Sequence, residues 1–148
     1  MANSDFQILL ADDDEDDCMF FKEALDELAL YATLKTVNNG VELMDFLENN
    51  LPNLPQVLFL DLNMPRKSGT ECLLEIKQYE KFRHLPVIIY STSSNIDVMD
   101  QLYRQGAQYY IRKPAEFSNL KRVISRTIDL IKQKRVLQSS REEFVIQP

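Results

Sequence analysis

The hydrophobic positions fall into two alternating patterns along the chain. Phe6–Ala11 is apolar with no polar face, as in a strand covered on both sides. Ala24, Leu25, Leu28 and Ala29 then recur at helical spacing. Ala32–Val37 reads as a second strand, closed by Asn38-Asn39-Gly40, and Val41, Leu43, Met44 and Leu47 as a second helix. Asn49–Pro55, with two prolines, is a loop. Val57–Asp61 is another buried strand, and it ends on an acid. Ser68 with Glu71 forms a capping box ahead of a helix carried by Leu73, Leu74 and Ile76.

The alternation continues to the end. Val87–Tyr90 predicts a fourth strand, and Ser94 with Asp97 predicts the cap of a helix bearing Val98, Met99, Leu102 and Tyr103. Gln108–Arg112 predicts a fifth strand, and Lys113-Pro114 breaks it. Leu120, Val123, Ile124, Thr127, Ile128 and Ile131 mark a last helix from about Ser118 to Gln138. Strand–helix units repeated five times predict an α/β fold, a doubly wound parallel sheet with helices on both faces. Chemistry in such sheets sits beyond the carboxyl ends of the strands, where strand order reverses.

Those ends carry a consistent set of groups. The first strand delivers Asp12 and Asp13, the third Asp61, the fourth Ser91 and Thr92, and the fifth Lys113. Two carboxylates about 4 Å apart repel by roughly 4 kcal/mol at an effective dielectric near 20. Three on one rim raise one another's pKa unless a cation is present. A hard divalent ion with oxygen ligands answers this, and Mg²⁺ favours one or two carboxylates, waters and a phosphate oxygen. With Lys113 as a mobile positive charge and Ser91 as a donor, the set suits a phosphoryl group and its metal.

Four motifs in order, "LLADDD", "LDLNMPRKSG" (Leu60–Gly69), "IIYST" (Ile88–Thr92) and "YYIRKP" (Tyr109–Pro114), make the sequence resemble the receiver domain of two-component response regulators. The resemblance covers roughly residues 6–135. It implies a flavodoxin-like (βα)5 fold with strand order 2-1-3-4-5. It implies that Asp61 is the phosphoacceptor and that Asp12 and Asp13 hold Mg²⁺, with Mn²⁺ as the alternative, Asp13 directly and Asp12 partly through water. The main-chain carbonyl of Asn63 supplies a further ligand. Ser91 hydrogen-bonds one phosphoryl oxygen and Lys113 pairs with another. Lys113–Pro114 is expected to be cis, and Tyr110 takes the aromatic switch position, moving inward with Ser91. The fourth helix, fifth strand and fifth helix form the switching face. The phosphoryl donor is a phosphohistidine on a sensor histidine kinase or phosphotransfer protein, and the same site hydrolyses its acyl phosphate. Asn63 and Ser93, two positions past Asp61 and Ser91, tune that lifetime.

The remaining features bound this reading. A net charge of −6 disfavours nucleic acid or an anionic membrane as the main partner. No apolar run approaches a membrane span, and the N-terminus lacks a signal peptide's basic and apolar regions, so the chain is expected in the cytoplasm. Cys18 and Cys72 are far apart with no metal-binding companion and read as buried thiols. His84, the one histidine, reads as a surface residue in a loop away from the site. Asp14–Asp17 read as acids at a helix start, favourable against the helix dipole.

Residues 1–138 are expected to form the receiver with an extended last helix, and 139–148 a tail. Too few residues follow Gln138 to fold an output domain. The basic residues Lys121, Arg122, Arg126, Lys132, Lys134 and Arg135 on that helix read as a solvated face, with an acidic partner or a homodimer as the sharper alternative. "EEFVIQP" (Glu143–Pro148) is apolar enough to pair with another edge or dock in a groove. A non-phosphorylated interaction module would lack an acid, the nucleophile or the lysine, and none is missing. A metal-dependent phosphatase with an Asp nucleophile would carry a second acid two residues on, where this chain has Asn63.

Overall fold

The computed structural model describes residues 6–133 and 138–148. Five strands, β1 (Phe6–Ala11), β2 (Ala32–Val37), β3 (Val57–Leu60), β4 (Val87–Ser91) and β5 (Tyr109–Arg112), alternate with five helices. These are α1 (Glu15–Glu27), α2 (Gly40–Asn49), α3 (Gly69–Gln78), α4 (Ile96–Arg104) and α5 (Phe117–Lys132). All neighbouring strands pair in parallel in the order β2-β1-β3-β4-β5. The sheet topology expected from the alternation and the resemblance is the one observed.

The sheet separates two cores. Period-2 alternation sends Leu9 and Ala11 of β1 to the face covered by α2, α3 and α4, and Ile8 and Leu10 to the face covered by α1 and α5. On the second face Phe21 of α1 meets Phe59 and Tyr90 edge-on, with centroids 5.0 and 5.7 Å apart. That contact fixes α1 against β3 and β4.

Helix starts follow the expected chemistry with one exception. Asp14 caps α1, accepting from the N–H groups of Asp16 and Asp17, and the Ser68–Glu71 capping box opens α3. The fourth helix is capped by Asn95 rather than Ser94: the Asn95 carboxamide accepts from the N–H groups of Asp97 and Val98. Asn competes well with Ser as a cap, and here its side chain reaches two donors at once.

The last helix is also shorter than its periodicity predicts. It ends at Lys132, capped by Gln133, so its extension to Gln138 is not observed. Gln138 donates to the carbonyls of Tyr103 and Ala107 at 2.7 and 2.6 Å. Lys134 and Arg135 lie outside the described residues. Lys121 pairs with Glu27 of α1 at 3.2 Å, and Arg126 donates to the Gln147 carbonyl at 3.3 Å, so part of the basic face is used within the fold.

The tail pairs with an edge, and the edge belongs to its own sheet. Tyr110 N–H donates to the Phe144 carbonyl, and Ile146 N–H donates to the Tyr110 carbonyl, both at 2.9 Å. Val145 thereby forms a parallel bridge with Tyr110 on the open side of β5. Phe144 enters the core under α4 and Ile146 the core under α5. An exposed strand edge is a template for unwanted pairing. The tail covers this one and plugs both layers of the sandwich at once.

Candidate functional site

The site forms where β1, β3, β4 and β5 end together. Ala11 is in register with Leu60, and Ser91 with Arg112. The main-chain ladder continues past the strands: Asp61 N–H donates to the Ala11 carbonyl at 2.9 Å, and Lys113 N–H to the Ser91 carbonyl at 2.8 Å. Asp12, Asp61 and Lys113 are each one step beyond a fixed strand, and Ser91 is the last residue of β4. β1 lies between β2 and β3, so the chain's winding reverses beside it, which opens the crevice there.

Two glycines let loops close over this crevice. A Cβ on Gly69 would lie 2.1 Å from the Asp61 carbonyl oxygen, and one on Gly40 would lie 2.2 Å from the Lys67 carbonyl oxygen. Both contacts are to the segment joining β3 and α3, so backbone packing holds the chain that follows Asp61. The run "LDLNMPRKSG" contains the first of these glycines, and its steric role becomes visible only in three dimensions.

Asp12, Asp13 and Asp61 come together as expected: one carboxylate oxygen from each lies within 4.8 Å of the others. Asp12 is wholly buried, Asp61 is nearly so, and Asp13 is exposed. Asp12 Oδ1 accepts from the Asp14 N–H at 3.0 Å. Asp12 Oδ2 has no hydrogen-bond partner, although Lys113 Nζ stands 2.8 Å away as an ionic contact, too poorly aligned to count as a hydrogen bond. A buried, under-satisfied carboxylate oxygen beside two further carboxylates fits a hard divalent cation.

Lys113 reaches the same pocket with Nζ 2.8 Å from Asp17 Oδ2 and 3.7 Å from Asp61 Oδ2, over the Tyr90 ring at 5.3 Å. Burial depresses its pKa, but the neighbouring carboxylates of Asp12, Asp17 and Asp61 more than reverse this, and the net shift is upward. Burial chiefly pushes the Asp61 carboxyl up to about 6; Lys113 opposes this and Asp12 reinforces it. Among the described residues, the only cis peptide is Leu51–Pro52, so Lys113–Pro114 is trans, against expectation. A trans bond is the ordinary preference even before proline. The long lysine stem spans the distance, and the carboxylates of Asp12 and Asp17 aim its end.

Asp17 was not expected in the site. Only Asp14 of the four later acids is the cap, whereas Asp17 faces inward and ion-pairs with Lys113. A signal was present: counting back by four from Leu25 gives Phe21 and then Asp17, the same face of α1.

Ser91 and Tyr110 are connected through one residue. Ser91 Oγ accepts from the Ser93 N–H at 3.1 Å, and Tyr110 Oη donates to the Ser93 carbonyl at 2.8 Å. Both Ser91 and Tyr110 are buried, Tyr110 completely. Asn63 and Thr92 are exposed at the rim, and His84 lies exposed in the turn before β4. Cys72 is buried and Cys18 half-buried, and burial is the main influence that pushes both thiols up to about 11.

A model of the response regulator receiver domain matches residues 8–125. The chain belongs to that family. This receiver is 31% identical over 126 residues to the probable methanogenesis regulatory protein FilR2 of Methanothrix harundinacea, covering 83% of this chain and 81% of the relative. It is 31% identical over 122 residues to the response regulator Rcp1 of Synechocystis sp., covering 79% and 82%. Among solved structures it matches the phosphorylated cyanobacterial phytochrome response regulator RcpA with a TM-score of 0.80 at 30% identity, over 92% of this chain and 100% of that one. The Mn(2+)-bound form of Rcp1 matches with a TM-score of 0.68 at 30% identity, over 96% and 98%. Receivers accept phosphoryl groups in two-component signalling, and the acidic cluster of this receiver has the make-up of a divalent metal site. No described helix is long and apolar enough to cross a membrane.

Proposed function

We propose that this receiver takes a phosphoryl group onto Asp61 from the phosphohistidine of a sensor histidine kinase or a phosphotransfer protein, in the cytoplasm. One observation carries this reading: Asp61 shares a pocket with Asp12 and Asp13 and lies 3.7 Å from the Lys113 ammonium. An Asp61 oxygen bonds to phosphorus as the P–N bond to the donor imidazole breaks. The electron pair stays on the imidazole nitrogen, which takes up a proton.

Asp12, Asp13, Asp61 and the main-chain carbonyl of Asn63 would hold Mg²⁺, or Mn²⁺ in its place; the Mn(2+)-bound Rcp1 structure supports a divalent ion. When bound, the cation neutralises the charge of the carboxylates and the incoming phosphoryl oxygens. Lys113 donates to one phosphoryl oxygen and Ser91 to another. The shift of Ser91 reaches Tyr110 through Ser93, biasing two pre-existing conformations of the face made by α4, β5 and α5. Self-catalysed hydrolysis of the acyl phosphate resets the site. The net charge of −6 supports a protein partner over nucleic acid.

The test is intact mass after incubation with Mg²⁺ and acetyl phosphate. A phosphoryl-sized gain is expected in the wild type, lost without Mg²⁺ and lost in Asp61→Asn. A gain that persists in Asp61→Asn would place the acceptor elsewhere.

A further inference from the structure

Lys113 does not face Asp61 alone. Its directed hydrogen bond goes to Asp17 Oδ2 at 2.8 Å, whereas its approach to Asp12 Oδ2 at the same distance lacks hydrogen-bond alignment. The distance to Asp61 Oδ2 is 3.7 Å, beyond hydrogen-bonding range. The geometry matters because an ammonium resting directly on Asp61 would cover the oxygen that must attack. Held back, Nζ leaves that oxygen open. It still stands where an oxygen two bonds beyond the Asp61 carboxylate oxygen, on an arriving phosphoryl group, can accept from it.

The tether has a fixed origin. Asp17 lies one turn before Phe21, which is buried against Phe59 and Tyr90. The α1 backbone therefore cannot shift without disturbing the core. The Tyr90 ring beneath Nζ bounds it from another side.

We propose that Asp17 is a positioning residue for phosphoryl transfer. It holds the Lys113 ammonium off the nucleophilic oxygen of Asp61 and aims a free N–H at the incoming phosphoryl group. This rests on Asp61 being the phosphoacceptor. Asp17 exchanges no proton in the step. Asp61 forms the bond to phosphorus, the leaving group departs with its electron pair, and Lys113 keeps its protons and donates a hydrogen bond. Without Asp17, Lys113 falls back on the Asp12 and Asp61 carboxylates and competes there with the cation and the phosphoryl group.

The test compares full-length wild type, Asp17→Ala, Asp17→Asn, Asp17→Glu and Asp16→Asn. Asp16 is exposed one residue away and controls for loss of one acidic charge. Urea midpoints establish that each variant is folded. The rate of phosphorylation by acetyl phosphate with Mg²⁺ is followed by intact mass. Asp17→Ala is expected to be slower by about tenfold, the scale of one charge-assisted hydrogen bond. Asp17→Asn, which keeps an acceptor oxygen, falls between, Asp17→Glu recovers part of the rate, and Asp16→Asn matches wild type. The second readout is the ¹⁹F spectrum of the Mg²⁺–beryllofluoride complex. The resonance of the fluorine facing Lys113 shifts in Asp17→Ala and stays in place in Asp16→Asn, which a structural loss elsewhere on α1 would not produce. Equal rates and unshifted ¹⁹F lines in Asp17→Ala would overturn the role of Asp17 and leave Asp61 as acceptor. Equal slowing in Asp16→Asn would overturn it in favour of bulk charge. A wild type that gains no phosphoryl mass would overturn both readings.

Discussion

Phe144 of the tail and Tyr110 of β5 lie with ring centroids 6.1 Å apart and planes tilted by 58°, while their main chains share a hydrogen bond. The aromatic residue at the proposed switch position is thus roofed by the chain's own C-terminal segment. Tyr103 of α4 meets the same Phe144 ring edge-on at 5.2 Å. Further ties hold the segment in place: Ser139 Oγ donates to the Gln108 carbonyl at 2.9 Å, and Arg141 pairs with Asp100 at 2.7 Å.

Phe144→Ala removes a wholly buried ring, a change worth about 3–5 kcal/mol in a core that cannot relax. The tail can detach, so the loss is expected locally. Amide exchange at Tyr110 and Ile146, which bond across this bridge, speeds up by at least about tenfold through local opening. The Asp61 amide, bonded to Ala11, keeps its protection. Hydrogen exchange read by NMR checks both amides in one experiment.

Gly69→Ala places a Cβ against the Asp61 carbonyl and 2.8 Å from Leu62 Cα. Neither atom is the end of a flexible side chain, so the backbone must move. Overpacking of this kind costs about 1–3 kcal/mol. The shift acts on Asp61, the proposed nucleophile, so phosphoryl uptake is expected to fall along with stability. A urea titration and the intact-mass assay together check it; unchanged uptake would mean the loop yields without moving Asp61.

The Asp61 carboxyl, pushed up to about 6 chiefly by burial, makes the metal-free protein pH-sensitive. Between an ordinary carboxylate value of about 4 and that pKa, the folded chain holds a proton the unfolded chain has released. The contribution of Asp61 to stability is therefore full below that window and is lost as pH rises through about 6. The ¹³C shift of the Asp61 carboxyl should titrate near pH 6 without metal. Lys113→Ala should move it higher, because Lys113 opposes the shift, and Mg²⁺, which binds the ionised form, should move it lower.

Tyr110→Phe deletes the 2.8 Å hydrogen bond to the Ser93 carbonyl and leaves the ring packed under Phe144. The expected cost is about 1 kcal/mol, or roughly 2–4 °C in Tm for a chain of this size. Calorimetry checks this. If Ser93 links Ser91 to Tyr110, the beryllofluoride-induced amide shifts in β5 shrink in the same variant, and full-sized shifts would refute the link.

Much was legible in the sequence because it is governed by local periodicity. Apolar runs without a polar face at Ile8–Ala11 and Val57–Leu60 read as strands covered on both sides, and their alternation with helical stripes points to a parallel sheet. Parallel strands of matched register end at one rim, so Asp12, Asp61, Ser91 and Lys113 had to meet there. The Ser68–Glu71 cap was readable because its partners are three residues apart.

Tertiary structure decided what depends on partners distant in sequence. Asp17 became a Lys113 partner across 96 positions, and Gly69 was required by a backbone that no spacing rule reveals. Lys113–Pro114 is trans, and carboxylates of Asp12 and Asp17 hold the lysine end in the site. The helix ends at Lys132, and the described tail pairs with β5 and buries Phe144 and Ile146 on both faces of an open edge. Local pattern is written by nearest neighbours, but burial is settled only when distant segments compete for the same surface.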